Sequence, residues 1–401
     1  MKSNITTPVA LVALAGLLCA GGVTAADWPS WRGPGGNGVS EESSWVSEGK
    51  AESLWTADVG LGYSSFTVAD GALVTLGYFE DQEIDRVQCL DALTGELRWK
   101  YEYPAEKWAK YHGGGSNATP VIDGDHVYLI NREAQFFCFN KADGTVVWSK
   151  ELMKEYELEQ PTWGFAGSPL VYGDLVFVNV GKLIAFDKTS GEEKFASKDY
   201  GHAYSTPYLM QLDGKDVIAL FAGSGLAILN AEDGSELNQF EWKTQYDVNA
   251  ATPIDVGNGR VFISSGYNHG CALVDVSTTP ATAVWESKRM RNQMATSVLM
   301  GDHLYGFDEA ELKCLDLEGN EMWNQRGMGK GALIGAGDRL IVMSGRGELV
   351  IVKASPDGYQ ELSKVKVVDG GVDWTIPVIV DGLIYCRNSP GQLVCRDHRG
   401  E

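Results

Sequence analysis

Short apolar segments that alternate with turn residues run through the chain from about residue 53 to the end. The segment Arg86–Asp91 has the alternating pattern of a strand, and Trp99 lies in the next such segment. Between them, Asp91 can accept hydrogen bonds from its own downstream backbone, and Gly95 tolerates a positive φ. The pattern therefore predicts a β-hairpin whose second strand carries a large aromatic side chain that must pack on a neighbour.

This hairpin pattern is repeated along the chain, with an Asp, Asn or Lys at the start of each turn. The copies are anchored at Asp91, Asn140, Asp187, Asn230, Asp275, Asp316, Lys353 and Asp397. Their spacing of about 44 residues lies in the range of four-stranded propeller blades. A second motif, Thr or a small residue followed by Pro and an apolar run, precedes the hairpins, as in Ala118–Ile122. It predicts two inner strands per blade, since Pro is tolerated at the start of a strand.

The last copy reaches the end of the chain before its Trp-bearing outer strand, and a matching segment, Ser53–Val59 with Trp55, precedes the first inner strand. We predict an all-β fold: an eight-bladed β-propeller of four-stranded antiparallel blades, closed by this N-terminal strand, which completes the last blade. The predicted divisions are a signal peptide over residues 1–25, an extended segment over 26–52 and the propeller over 53–401.

The chain carries 33 basic and 54 acidic residues, a net charge of −21. Such a balance argues against nucleic acid and anionic membranes as partners. Lys2, the apolar run Val9–Ala20 and the small residues before Ala26 are typical of a cleaved secretory signal. We therefore expect a soluble mature protein in the periplasm or outside the cell, without membrane insertion.

The cysteines follow the repeat and form no adjacent pair or Cys-x-x-Cys motif. Cys89, Cys138, Cys314 and Cys395 share one repeat position, which predicts small buried side chains with inert thiols. His126, His303 and His398 fall near the predicted turns, where we expect them to be solvated. The pair His112 and His202 lacks a carboxylate or third His at ligand spacing, so we expect no metal site.

The connections from each outer strand to the next inner strand are irregular and rich in aromatic and polar residues. Irregular loops on a rigid scaffold often carry binding sites, and here they would surround the mouth of the central channel. Trp163 and Trp374 could stack on a planar ligand, and Arg291 and Lys330 could meet an anion. The predicted ligand-binding residues are Asn117, Trp163, His202, Tyr204, Asn249, Arg291, Asn292, Lys330, Asp373 and Trp374. Alternatively, these side chains only fill the channel and form hydrogen bonds that hold the loops together.

The hairpin motif, Cys/Ala-x-Asp-x-x-x-Gly-x-x-x-Trp, resembles the tryptophan-docking repeat of quinoprotein dehydrogenases, which are eight-bladed propellers. It is also similar to the outer-membrane β-barrel assembly lipoprotein B, which binds no quinone. Exported PQQ-binding-like propeller proteins of the planctomycete type share further segments with this chain. These are Trp28–Ser40, Gly164–Leu170, Asp247–Pro253, Ile263–Tyr267 and Gly329–Gly331.

The resemblance to quinoprotein dehydrogenases implies pyrroloquinoline quinone stacked on Trp163 or Trp374 beside Ca²⁺. In that case Asn117, Asn249 and Asp373 would be the calcium ligands, and Asp373 would act as the general base. The two adjacent cysteines of those enzymes are missing from this chain.

We expect an exported binding or interaction module without a cofactor, which recognises an envelope protein, a polymer or a small molecule at the channel mouth. The alternative is a PQQ- and calcium-dependent oxidoreductase acting on alcohols or sugars, with catalytic residues unknown. A third possibility is a structural component of the cell envelope. Nucleic acid is not an expected partner.

Overall fold

The computed structural model describes residues 27–50, 52–202 and 204–400. The predicted signal peptide lies outside these residues. The strands are β1 Val39–Ser40, β2 Ser53–Asp58, β3 Thr67–Ala69, β4 Ala72–Phe79, β5 Ile84–Asp91, β6 Leu97–Pro104, β7 Val121–Asp123, β8 His126–Ile130, β9 Gln135–Asn140, β10 Val146–Glu151, β11 Leu170–Tyr172, β12 Leu175–Asn179, β13 Leu183–Asp187, β14 Glu193–Ala196, β15 Tyr208–Leu212, β16 Lys215–Ala222, β17 Gly225–Asn230, β18 Glu236–Glu241, β19 Ile254–Gly257, β20 Arg260–Ser265, β21 Gly270–Asp275, β22 Thr282–Ser287, β23 Val298–Met300, β24 His303–Asp308, β25 Glu311–Asp316, β26 Glu321–Gln325, β27 Ala332–Ala336, β28 Arg339–Met343, β29 Glu348–Lys353, β30 Glu361–Lys366, β31 Val378–Val380, β32 Leu383–Arg387 and β33 Gln392–Asp397. One helix, α1 Leu152–Glu155, and two 3₁₀ turns, Glu80–Gln82 and Gln245–Asp247, complete the described elements.

The strands form eight antiparallel sheets, which are the blades of a β-propeller, as predicted. Blades 1 to 7 begin with β3, β7, β11, β15, β19, β23 and β27, and each takes four strands consecutive in the chain. Blade 8 contains β31, β32 and β33, with β2 as its outer strand, and Trp55 lies opposite Cys395. The predicted closure is therefore confirmed, and it pairs an edge that a linear array would leave open.

The tryptophans of the repeat dock on the turn of the following blade. The indole nitrogen of Trp99 donates a 2.6 Å hydrogen bond to the carbonyl of Lys141. A Cβ added to Gly144, where φ is 72°, would lie 2.4 Å from the Trp99 ring, so only glycine fits beneath it. The same stacking joins Trp55 to Gly95, Trp148 to Gly191, Phe195 to Gly234 and Trp285 to Gly319.

In blade 4 an asparagine takes the place of this aromatic side chain. Asn238 donates hydrogen bonds to the carbonyls of Val276 and Thr278, at 3.0 and 2.7 Å. The blade boundary thus keeps a side-chain bond to the turn of blade 5 without the stacked ring.

The cysteines of the described residues are all buried and unbridged, which confirms the predicted burial of the four that share a repeat position. Burial raises the pKa of Cys89 to about 11 and that of Cys138 and Cys314 to about 12, so these thiols stay protonated at neutral pH. Within the described part of the chain, no helix is long and apolar enough to cross a bilayer.

The Thr-Pro motif joins neighbouring inner strands. The backbone N–H of Thr119 donates to the hydroxyl of Ser168 at 2.9 Å, and that of Ser168 donates to the hydroxyl of Thr206 at 2.9 Å. Two further bonds of this kind lead from Ser65 to Thr119 and from Thr252 to Thr296. A belt of hydroxyl groups therefore holds adjacent blades together where the inner strands begin.

The N-terminal segment, residues 27–50, lies against the inner strands and then crosses the turn face. Trp28 forms a bridge with Val68 of blade 1, and the carbonyl of Pro29 accepts a hydrogen bond from Ile122 of blade 2. Strand β1 then pairs in parallel with β27, with Val39 opposite Gly335. The segment thus adds a fifth strand to blade 7 and occupies the ring interior, which the sequence had not predicted.

Arg32 fixes this segment inside the ring. Its buried guanidinium donates to the carbonyls of Gly36 and Asn37 within the segment, and to those of Thr296 and Ser297 in blade 6. Burial lowers the pKa of Arg32 to about 10, which still leaves the side chain charged at neutral pH.

On the turn face, the segment also covers His398. This side chain is only 2% exposed and packs against Trp45 at 6.3 Å between ring centroids. The expectation that His398 is solvated is therefore wrong, because the N-terminal segment lies over its turn. His126 and His303 are partly buried.

Candidate functional site

A cavity of about 210 Å³ opens on the face where outer strands connect to the next inner strands. All but two of its lining residues come from those connections. Tyr267 belongs to a loop within blade 5, and Trp31 belongs to the N-terminal segment. The lining residues are Trp31, Tyr63, Tyr111, His112, Asn117, Trp163, Ala166, Ser168, Tyr204, Thr206, Val248, Ala250, Tyr267, Gln293, Met294 and Trp374.

Aromatic rings form an arc around part of the cavity. Tyr63 and Trp374 stack with their centroids 5.2 Å apart and their planes at 22°. Trp163 meets Tyr204 edge-on at 5.8 Å, and Tyr111 lies 6.4 Å from Trp163. The connections that carry these aromatic residues are consecutive around the ring, from the one that enters blade 8 to the one that enters blade 4. The residues meet on one face because they occupy similar places in successive repeats.

The lining also offers neutral hydrogen-bonding groups. Nδ1 of His112 accepts a 2.8 Å hydrogen bond from the N–H of Gly114, so in the neutral ring the proton lies on Nε2. The amide nitrogen of Asn117 donates to the carbonyl of Trp163 at 3.0 Å, which leaves its amide oxygen as an acceptor. The oxygen of Gln293 accepts from Lys330, which leaves its amide nitrogen as a donor.

The cavity is electrically neutral. Among the described residues that line it there is no Asp, Glu, Lys or Arg. Burial lowers the pKa of His112, which favours its uncharged form, and burial raises the pKa of Tyr204 to about 12, which keeps its hydroxyl protonated. The cavity therefore suits an uncharged ligand with a flat apolar surface, although the chain as a whole is acidic.

Four of the predicted ligand-binding residues meet in this cavity: Asn117, Trp163, Tyr204 and Trp374. The amide groups of Asn249 and Asn292, by contrast, are buried and fully engaged. Asn249 donates to the carbonyls of Ala222 and Trp242 and accepts from Ser265. Asn292 bonds the carbonyl of Phe307 and the hydroxyl of Ser297. Their role in the structure is to connect loops and strands.

The two predicted anion-binding side chains lie outside the lining and face carboxylates. Arg291 forms a two-point ion pair with Asp308, at 2.5 and 2.8 Å. Lys330 pairs with Glu309 at 2.9 Å and lines a smaller neighbouring cavity together with Trp374. His202 is partly buried and lies outside the lining of both cavities.

Asp373 is buried directly beside Trp374 in the chain, at 2% exposure. One carboxyl oxygen, Oδ1, has no hydrogen-bond partner among the described residues. Burial raises the pKa of this carboxyl to about 6. No group of three or more His, Cys, Asp or Glu in the described ranges could hold a metal ion.

Two important lining residues were not among the predicted set, Trp31 and Tyr267. Trp31 belongs to the N-terminal segment that crosses the ring, and its indole nitrogen donates to the hydroxyl of Thr252 at 3.0 Å. The signal was present, since two tryptophans within residues 27–31 are unusual for a solvated linker. Tyr267 lies in a loop within blade 5, whereas the predicted ligand-binding residues were taken from the connections between blades.

Comparison with known proteins places the chain among propellers of one family. A family model described as outer membrane protein assembly factor BamB matches residues 83–325, more than half of the chain. No curated protein matches it. Among solved structures, BamB from Moraxella catarrhalis is 15% identical, with a TM-score of 0.60 over 87% of this chain and 98% of that chain.

Two dehydrogenases are also similar in fold. The quinohemoprotein alcohol dehydrogenase from Comamonas testosteroni is 12% identical, with a TM-score of 0.70 over 94% of this chain and 81% of that chain. A europium-containing methanol dehydrogenase is 10% identical, with a TM-score of 0.67 over 90% of this chain and 89% of that chain. At such identities these structures share the fold alone. By its family match, the chain belongs to the PQQ-like propeller family described as outer membrane protein assembly factor BamB.

Proposed function

We propose that this protein is an exported, non-catalytic binding module that holds an uncharged ligand in the channel-mouth cavity. The observation that carries the proposal is the lining itself, in which an arc of aromatic rings faces a cavity without ionic side chains. Aromatic surface supplies most of the affinity in such sites, and a few neutral polar groups orient the ligand. The predicted signal peptide supports export.

The residues present do not fit the quinone alternative. Pyrroloquinoline quinone carries three carboxylates, and its calcium ion requires oxygen ligands, several of them anionic. The lining supplies no cation for those carboxylates and no carboxylate for the metal. Of the three calcium ligands that the resemblance implied, Asn249 is engaged by Ala222, Trp242 and Ser265. Only Asn117 lines the cavity.

Tryptophan fluorescence tests the proposal directly, because Trp31, Trp163 and Trp374 line the cavity. The purified protein is titrated with uncharged aromatic and carbohydrate probes, and separately with pyrroloquinoline quinone and Ca²⁺. We expect saturable binding of uncharged probes, at least tenfold weaker in Trp374→Ala. The control is Trp108→Phe, which changes a tryptophan of the same region outside the lining. Stoichiometric quinone binding with reduction of a dye by alcohols would overturn the proposal.

A further inference from the structure

We infer that the ligand of this cavity is the terminal sugar of an uncharged oligosaccharide or polysaccharide. The inference rests on the proposed function, since it names the ligand class of the same cavity. It combines the surface that the cavity offers, the hydrogen bonds that it leaves open and the N-terminal segment that crosses the ring at the cavity.

The aromatic arc matches one surface of a sugar ring. A pyranose presents a flat face of C–H bonds, and such a face packs against the negatively polarised face of an aromatic ring. The stacked pair Tyr63 and Trp374 and the edge-on pair Trp163 and Tyr204 offer such surfaces from neighbouring connections. A cavity of about 210 Å³ has room for a single ring, since a cavity of roughly 150 Å³ accommodates benzene.

The polar groups of the lining favour a sugar over a purely apolar ligand. Nε2–H of His112 and the amide nitrogen of Gln293 are donors, and the amide oxygen of Asn117 is an acceptor. Hydroxyl groups can both donate and accept, so the rim of a sugar ring can satisfy all three. An apolar peptide side chain would desolvate these groups without pairing them, at a cost of about 1–3 kcal/mol each.

The N-terminal segment, which crosses the ring at the cavity, indicates that the ligand enters as a chain end. Trp31 of this segment lines the cavity and bonds Thr252, and the neighbouring Arg32 is bonded to the carbonyls of Thr296 and Ser297. A polymer therefore cannot pass through the ring while this segment is in place. Its terminal unit can enter from the mouth, and the following units must leave by the same opening.

Exposed aromatic side chains extend the surface outward from the cavity. Tyr111 is 92% exposed and lies near Trp163, and Tyr246 is 59% exposed and meets Tyr267 edge-on at 5.6 Å. Both exposed tyrosines have left-handed backbone conformations, with φ of 64° and 72°. Such backbone strain is common where loops hold functional side chains. We assign these rings to the second and later sugar units.

The test uses linear maltose, cellulose, xylan and chitin oligosaccharides in a length series, with oligogalacturonate as the anionic comparison and N-acetyl-tryptophanamide as the uncharged non-sugar. Calorimetry gives affinity and stoichiometry. We expect at least one neutral series to bind with one protein per chain whatever its length, because only the end is held. Oligogalacturonate should bind at least tenfold more weakly. If the maltose series binds, its cyclic counterpart β-cyclodextrin, which has no ends, should not.

Variants separate the sugar site from a general apolar site. Asn117→Leu removes the acceptor together with the bond to the carbonyl of Trp163, and it should weaken sugar binding at least tenfold but binding of N-acetyl-tryptophanamide much less. If N-acetyl-tryptophanamide or an apolar peptide binds but no neutral sugar does, the inference is overturned and the proposed function stands. If several proteins bind one long chain, terminal recognition is wrong. If no uncharged probe binds, both fail.

Discussion

At the scale of single residues, the blade boundaries depend on glycine. We expect Gly144→Ala to lower the free energy of unfolding by about 2–4 kcal/mol, because the new Cβ meets the Trp99 ring and the residue keeps a positive φ. The matched control is Gly124→Ala, where φ is 55° and no atom lies within 4 Å of the added Cβ. The control should cost only about 1 kcal/mol, from the backbone conformation. Urea unfolding measures both, and equal losses would refute the role of the indole.

Asp373 makes stability depend on pH. Its folded-state pKa, about 6, exceeds the ordinary value of 3.8, so the folded protein holds this proton more tightly than the unfolded chain. The contribution of Asp373 to stability should therefore fall as pH rises from about 4 to 7, and the loss should be on the order of 3 kcal/mol.

Replacement by asparagine should remove this loss. We expect the urea midpoint of Asp373→Asn to exceed that of the wild type above pH 6, and the difference between the two midpoints to grow as pH rises from about 4 to 7. Asp369→Asn, in the same connection but with a side chain 90% exposed, serves as the control and should keep the wild-type profile. A steeper decline in Asp373→Asn would contradict the argument.

At the scale of elements, the N-terminal segment should behave as an integral part of the ring. Arg32→Met leaves the carbonyls of Thr296 and Ser297 without their buried donor, and we expect a loss of about 3 kcal/mol. Hydrogen exchange of residues 27–40 should accelerate at the same time. Arg98→Met removes an ion pair to Asp91 that is partly exposed on both sides, and it should cost less than about 1 kcal/mol. If both variants lose the same stability, Arg32 does not anchor the segment.

At the scale of the whole molecule, closure depends on strand β2. A chain that starts at residue 60 lacks the outer strand of blade 8 and leaves the edge of β33 unpaired. We expect this chain to aggregate, because an exposed edge strand pairs with other chains. A synthetic peptide of residues 27–59 should restore a monomer with native near-ultraviolet circular dichroism, whereas the same peptide with Trp55→Asp should not. A monomeric, folded chain without any peptide would contradict the need for closure.

The whole molecule also explains why the site was only partly predictable. Trp163, Tyr204 and Trp374 could be nominated because their connections recur in register with the blades, which brings them to one face. Arg291 and Lys330 looked equally available, but each has a carboxylate partner in blade 6, Asp308 at the end of β24 or Glu309 directly after it. Such pairings depend on how the connections between blades approach blade 6, and no local pattern encodes that approach.

The amino-acid sequence alone specifies the blade repeat, the number of blades, the turn chemistry and the strand that closes the ring. This is possible because the hairpins are encoded locally and repeated eight times, with a docking aromatic side chain in most of the blades. The folded ring, by contrast, is needed to show that the N-terminal segment enters it, that Trp31 lines the cavity and that the lining carries no ionic side chain. These features rest on contacts between distant residues, such as Arg32 with Ser297, 265 positions apart. They arise only once the ring has brought those residues together.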